Sequence, residues 1–114
     1  MTNFEIARAE SGGVPVLRLK GRLTLGEGSK ALRAGMSDLA GEGHKHVLLD
    51  MAGITYVDSS GLGAMVAGYN ALKPTGGKVG LFNVPKRVQD LLEMSGLTAL
   101  FKIFHTEQEA VAGS

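Results

Sequence analysis

The sequence predicts an α/β fold, with a mixed, mostly parallel sheet of about five strands and about four helices in the order β β α β α β α β α. Short apolar runs of strand length alternate with stretches in which apolar residues recur at the spacing of one helix face. The first two runs follow each other across a glycine pair, which indicates a hairpin. Beyond it strands and helices alternate, and right-handed crossovers then make neighbouring strands parallel.

The N-terminal part of the chain supplies the hairpin and the first helix. Residues 4–9 and 14–20 alternate apolar and polar side chains around the turn at residues 11–13. Residues 21–25 lead from the second strand into the first helix. That helix is predicted by apolar residues at helical spacing, namely Leu32, Met36 and Leu39.

The middle of the chain supplies the central strand. Residues 47–51 form an unbroken apolar run apart from Asp50, which is typical of a strand buried on both faces, and residues 54–57 continue it past Gly53. We therefore expect residues 47–51 at the centre of the sheet and residues 4–9 at or near an edge. A helix follows from about residue 60 to residue 73, and at least one of Leu62 and Met65 should pack inside.

The C-terminal part repeats the strand–helix pattern twice. Residues 79–82 predict a strand, and Pro85 suits the first position of the next helix. Gly96 predicts the end of that helix, with Leu97 folding back on it. Residues 101–104 predict the last strand, and residues 106–109 form a capping box that opens a short helix.

Composition excludes several classes of function. At 114 residues the chain is expected to form one domain, residues 1–114, and a formal net charge of +1 argues against nucleic acid as a partner. The chain has 0 cysteines, which excludes disulfides, thiolate zinc sites and a cysteine nucleophile. No apolar run reaches the length of a membrane span, and residues 1–5 lack the features of a signal peptide, so a cytoplasmic protein without membrane insertion is expected.

Residues 57–63 join the predicted central strand to its helix and contain the most distinctive motif. Ser59 and Ser60 fall at the expected N-cap, where a serine oxygen can accept a free backbone N–H. The helix dipole would stabilise a phosphate there, and Gly61 and Gly63 would let another molecule approach closely. The simpler interpretation is that the serines only cap the helix.

Catalytic and cofactor motifs are missing. Asp58 adjoins the serine pair, but no histidine is an obvious base, and the motif is not the nucleophile elbow of hydrolases. The three histidines are His44, His46 and His105. We expect no enzyme activity, no metal and no cofactor, although a small hydrolase using Ser59 or Ser60 stays open because triad members meet only in space.

The motif and its flanks resemble a known family. Asp58-Ser59-Ser60-Gly61-Leu62-Gly63 is led in by residues 47–50 and 54–57, and further matches are Gly21, Leu23, Gly76-Gly77 and residues 91–97. In this order and over nearly the whole chain, these segments resemble the STAS domain of the anti-sigma factor antagonist family. The resemblance implies a STAS-like α/β domain.

The resemblance also implies a switch. Ser59 matches the phosphoacceptor, and the expected partners are an anti-sigma factor with serine kinase activity, whose sequestration releases a sigma factor, and a phosphatase acting on phospho-Ser59. Members often carry Asp where this chain has Thr24, so the resemblance does not extend to partner contacts at that position, although it holds for the serine. The expected partner-binding surroundings are Asp58, Ser60, Gly61, Leu62, Gly63 and Thr24. The alternative is a STAS module of another assembly, such as a stress-signalling or lipid-transport complex.

Overall fold

The computed structural model of the protein describes residues 3–114. Met1 and Thr2, part of the segment for which no signal peptide is expected, lie outside the described residues. The strands and helices follow in the predicted order, with a short 3-10 helix, Lys73–Thr75, after the second helix. The elements are β1 (Phe4–Ser11), β2 (Val14–Leu23), α1 (Glu27–Gly41), β3 (His46–Val57), α2 (Ser59–Leu72), β4 (Lys78–Phe82), α3 (Lys86–Met94), β5 (Lys102–Phe104) and α4 (Glu107–Ala112).

The sheet has five strands in the order β1-β2-β3-β4-β5. The β1–β2 hairpin is antiparallel, whereas β3, β4 and β5 each join a parallel neighbour. The strand β3 is therefore central and β1 lies at an edge, which confirms both placements predicted from the apolar run and from the alternation. The predicted mixed, mostly parallel sheet and the order of elements are confirmed.

The two faces of the sheet bury different amounts of apolar surface. The larger core lies beneath α1, α2 and α3, where Leu32, Met65 and Leu92 pack against alternate residues of the strands. The opposite face carries a smaller core under the short helix α4, made of Val16, Leu48, Phe82 and Ala110. This division follows from the strand period of two, because residues next to each other in β3 point to opposite faces.

The central strand stays continuous through Gly53 because β2 shifts its register against it. The shifts lie between Arg18 and Lys20 and between Gly21 and Arg22. A Cβ atom at Gly53 would stand 2.9 Å from the Leu19 carbonyl oxygen, so a side chain would push the two strands apart. Both Ile54 and Val57 remain buried, and the carboxyl end of β3 leads through one residue into α2.

The ends of α3 and α4 follow local sequence signals. Pro85 is the residue immediately before α3 and not its first helical residue, because its ψ of 146° is extended. At the other end Gly96 adopts a φ of 70°, and the Leu97 N–H donates to the Leu92 carbonyl at 2.9 Å, as the glycine signal predicts. The predicted capping box between Thr106 and Glu109 is present at the start of α4.

The carboxyl ends of the parallel strands β2, β3, β4 and β5 meet at one edge of the sheet. Four connections leave this edge: residues 24–26 before α1, residue 58 before α2, residues 83–85 before α3 and residues 105–106 before α4. Ligand and partner sites of open α/β sheets form at such an edge, because loops from several strands converge there. The distinctive residues 57–63 lie at this edge.

Candidate functional site

The helix α2 is capped by Asp58. Its backbone is extended, with φ −104° and ψ −175°, and its Oδ1 accepts a hydrogen bond from the Gly61 N–H at 2.8 Å. The prediction that Ser59 and Ser60 form the N-cap is therefore wrong. A cap must precede the first helical residue to direct its side chain at the free N–H groups, and both serines already lie within the helix.

Asp58 also joins α2 to the loop that follows β2. Its Oδ2 accepts a hydrogen bond from the Leu25 N–H at 3.1 Å, and its own N–H donates to the Leu23 carbonyl at 3.2 Å. Hydrogen bonds from the backbone N–H groups, first that of Gly61 and then that of Leu25, lower the pKa of the Asp58 carboxyl. The N-terminus of α2 therefore already carries one stable negative charge.

Thr24 reaches the site through this connection. It lies between Leu23 and Leu25, which both bond to Asp58. Its carbonyl accepts hydrogen bonds from the Ser29 N–H at 3.1 Å and from the Ser29 hydroxyl at 2.8 Å, which fixes the turn into α1. The structure thus places residue 24 beside the start of α2, although 33 positions separate Leu25 from Asp58 in the sequence.

The two glycines of the motif have different surroundings. A Cβ atom at Gly61 would stand 2.1 Å from the Leu23 carbonyl oxygen, so the first turn of α2 lies directly on β2. At Gly63 the nearest atom would be a guanidinium nitrogen of Arg33, at 3.5 Å. The expectation that Gly61 admits another molecule is wrong because its own β2 covers it. Gly63 faces Arg33 of α1 and is partly exposed.

The remaining motif residues divide between surface and core. Ser59 is exposed at the first position of α2, and Ser60 is partly exposed. Leu62 is partly buried and packs against the larger core, whereas Met65 is 1% exposed. This burial confirms the prediction that at least one of Leu62 and Met65 packs inside. Of the predicted site residues, Ser59 presents its side chain most openly.

A family model described as the STAS domain matches residues 5–110. The chain belongs to the STAS domain family. This membership confirms the resemblance found in the motif and its flanks. The Asp-Ser-Ser-Gly segment of this STAS domain therefore lies at the start of α2, on the edge of the sheet where the parallel strands end.

Relatives of this STAS domain share its length and fold. An anti-sigma F factor antagonist from Paenibacillus polymyxa is 30% identical over 110 residues, 96% of this chain and 93% of the relative. An anti-sigma factor antagonist from Mycobacterium paratuberculosis has a TM-score of 0.81 at 18% identity, over 96% of this chain and 92% of that chain.

The anti-sigma factor antagonist SpoIIAA is similar in two forms. Its unphosphorylated form gives a TM-score of 0.73 at 21% identity over 96% of each chain. The phosphorylated form of SpoIIAA, described as a Bacillus cell fate determinant, gives 0.72 at 23% identity over 96% of this chain and 97% of that chain. These structural likenesses establish the fold alone.

Leu25 is a candidate site residue that the sequence did not single out. Its side chain is 79% exposed, although its backbone N–H is held by Asp58. An exposed leucine on a loop with a fixed backbone is a suitable apolar anchor for a partner, since little conformational entropy is lost on binding. The sequence signal that could have identified Leu25 is an apolar residue between Thr24 and Gly26, just beyond the end of β2.

A groove of about 520 Å³ borders the site of this STAS domain on the side of α3. The end of β3 forms one wall and the first turns of α3 form the other. Beside it the Arg22 guanidinium lies over the Tyr56 ring, 4.9 Å from the centroid. The groove is lined by residues 54–57, Pro85, Lys86, Arg87, Val88 and Leu91. It combines apolar walls with a cationic rim.

In the part of the chain that the structure describes, no helix is both long enough and apolar enough to span a membrane. Within residues 3–114, no cluster of three or more His, Asp or Glu side chains is arranged to hold a metal ion.

Proposed function

We propose that this STAS domain is an anti-sigma factor antagonist that phosphorylation of Ser59 switches off. The unmodified domain binds an anti-sigma factor with serine kinase activity and so releases a sigma factor. The observation that carries the proposal is the position of Ser59, exposed at the start of α2 while Asp58 supplies the cap. The name of the Paenibacillus polymyxa relative, of nearly equal length, supports it.

Capping by Asp58 leaves the Ser59 hydroxyl available for modification. In the proposed reaction the partner kinase transfers the γ-phosphoryl group of ATP to Ser59 Oγ, the hydroxyl proton leaves, and ADP departs. ATP and its magnesium ion belong to the kinase, since this sequence contains no complete nucleotide-binding motif. In this reaction the domain is the substrate of an enzyme and not itself an enzyme. We place the reaction in the cytoplasm.

The charge already present at the site explains how phosphorylation would release the partner. A phosphate adds about −1.5 to −2 charge at pH 7. It would lie next to the Asp58 carboxylate, whose lowered pKa keeps it ionised. A partner that accommodates one negative charge would then face about three, and each ~1.4 kcal/mol of lost interaction weakens binding tenfold.

The proposed binding surface surrounds Ser59. It consists of exposed and partly exposed groups on the loop after β2 and on the outer side of α2, while Asp58 and Gly61 hold these two segments together. A phosphatase acting on phospho-Ser59 resets the switch. The surface residues are Thr24, Leu25, Ser59, Ser60, Leu62 and Gly63.

The test combines the candidate kinase, ATP and three forms of the domain: wild type, Ser59→Ala and Ser60→Ala. Mass spectrometry should locate phosphate on Ser59 in the wild type and in Ser60→Ala, and Ser59→Ala should bind the kinase but stay unlabelled. Labelling of Ser59→Ala that is lost in Ser60→Ala would overturn the assignment. No binding to any anti-sigma factor would instead favour a STAS module of a stress-signalling or lipid-transport complex.

A further inference from the structure

Arg33 of α1 lies against the outer side of α2. One of its guanidinium nitrogens stands 3.5 Å from the place where a Cβ atom at Gly63 would lie. The glycine leaves room for the guanidinium, and any side chain longer than that of alanine would displace it. The two helices pack side by side at this point, since Met36, one turn further along α1, stands 2.8 Å from the corresponding Cβ position at Gly68.

Gly63 and Ser59 share one face of α2. Residues four apart on a helix are neighbours, with Cβ atoms about 5–6 Å apart. Helical Cα–Cβ bonds tilt toward the N-terminus, so the space over Gly63 that Arg33 occupies leans toward Ser59. A group attached to Ser59 Oγ would therefore lie about one helical turn from the place of the Arg33 guanidinium.

Arg33 is free to receive an anion. Among residues 3–114 it forms no ion pair, whereas Arg8 and Arg18 are each paired with carboxylates. Its side chain is exposed. Asp58 already takes the Gly61 N–H, so a phosphate on Ser59 needs a further donor to offset its repulsion by the Asp58 carboxylate. A guanidinium binds phosphate through two parallel N–H donors.

We propose that Arg33 binds the phosphate of phospho-Ser59, holding it over Gly63 between α1 and α2. This role rests on the proposed function, because it requires Ser59 to be the phosphorylated residue. Arg33 is a positioning residue: it holds the phosphate against the body of the domain and compensates part of the added charge. The phosphorylated form then keeps its fold while its outer surface becomes anionic.

The test is a phosphorus NMR titration of the domain with phosphoserine incorporated at position 59 during translation, so no kinase is needed. The second pKa of phosphoserine is about 6. The adjacent charged residue in the sequence is Asp58 at the cap, and on α1 Lys30 precedes Arg33 by three residues. Loss of a bound cation raises this pKa, and Arg33→Gln should raise it by about 0.5 unit, the scale of an exposed ion pair.

Three comparison variants make the assignment specific. Arg33→Lys should restore part of the effect, because it keeps the charge and loses the forked geometry. Gly63→Leu should reproduce Arg33→Gln without any change of charge, since the leucine takes the place of the guanidinium. Lys73→Gln at the C-cap of α2 removes the same charge about 20 Å along the helix, beyond the screening length, and should shift the pKa by less than about 0.1 unit.

The proposal is overturned if Arg33→Gln titrates like the wild type, or if Lys30→Gln raises the pKa more than Arg33→Gln does. Neither result bears on the proposed function, since the phosphate is installed without the kinase. Conversely, a kinase that labels another residue would refute the assignment of Ser59 as phosphoacceptor, yet would leave the titration of the installed phosphate readable.

Discussion

The carboxylate of Asp58 joins two backbone segments that are distant in the sequence. One oxygen takes the Gly61 N–H inside α2, and the other takes the Leu25 N–H on the loop after β2. The aspartate therefore sets both the start of the helix and the position of the loop beside it. Its charge also interacts favourably with the positive end of the helix dipole. The proposed binding surface depends on this single side chain for its geometry.

Replacing Asp58 with Asn should make the stability of the domain less dependent on pH in acid. The pKa of Asp58 is lowered on folding by the N–H groups of Gly61 and Leu25. Its stabilising contribution is therefore complete above its unfolded pKa of about 3.9 and is lost as pH falls through the folded pKa. Urea denaturation should show Asp58→Asn less stable than wild type at neutral pH, with the difference in unfolding free energy narrowing as the pH falls below about 4.

The control is Ser37→Asn, an exposed substitution on α1 that removes no titratable group. Its stability should differ from that of the wild type by the same amount at neutral and acid pH. A gap between wild type and Asp58→Asn that does not change between neutral and acid pH would show that the carboxylate charge contributes nothing to the cap.

Leu25 should matter for partner binding and not for folding. Its side chain is 79% exposed, so Leu25→Ala should leave the denaturation midpoint unchanged. Loss of an apolar anchor should weaken binding of the anti-sigma factor by about tenfold, ~1.4 kcal/mol. Met94, 85% exposed at the far end of α3, is the matched control, and Met94→Ala should bind like wild type. Equal affinities of the two variants in calorimetry would exclude Leu25 from the interface.

At the scale of elements, contact between α2 and β2 requires a glycine at one position of the motif. Gly61→Ala would place a Cβ atom 2.1 Å from the Leu23 carbonyl oxygen, a backbone atom that cannot move alone. Overpacking of this kind costs about 1–3 kcal/mol, so the unfolding free energy should fall by that amount. Gly63→Ala is the matched control, and should gain up to about 0.5–1 kcal/mol from helix propensity. Two variants of equal stability would contradict this account of Gly61.

Local signals in the sequence predicted the elements well and the site less completely. The capping box at Thr106 and the C-terminal glycine Gly96 each depend on hydrogen bonds within about one helical turn. The neighbouring residues in the sequence are therefore enough to identify both features. The N-cap of α2 could not be identified from neighbouring residues alone. Asp58, Ser59 and Ser60 all favour the N-cap, and the hydrogen bond from the distant Leu25 N–H helps to hold Asp58 there. Exposure of Leu25 likewise depends on where β2 ends, which is a property of strand pairing.

At the scale of the whole molecule, the site lies at an edge of a sheet that is covered on both faces. On the face opposite α1, α2 and α3, the Arg18 guanidinium donates hydrogen bonds to Asp50 and to Glu107, each at 3.0 Å. These hydrogen bonds hold α4 over the smaller core. On the other face, α1, α2 and α3 enclose the larger core. A change of charge at the surface of α2 therefore acts on a well-packed domain, which favours a switch of surface potential over a rearrangement.

Ser59→Asp should consequently change the surface and leave the fold intact. The two forms of SpoIIAA give TM-scores of 0.73 and 0.72 against this chain, so phosphorylation in that relative is compatible with one fold. In amide NMR spectra, shifts should be confined to the start of α2, the loop after β2 and the facing part of α1. Binding to the anti-sigma factor should weaken about tenfold or more, although one carboxylate carries less charge than a phosphate. Ser95→Asp makes the same substitution at an exposed serine at the far end of α3 and should leave binding unchanged. Amide shifts that spread through β4, β5 and α4 would indicate a rearrangement and refute a switch based on surface charge.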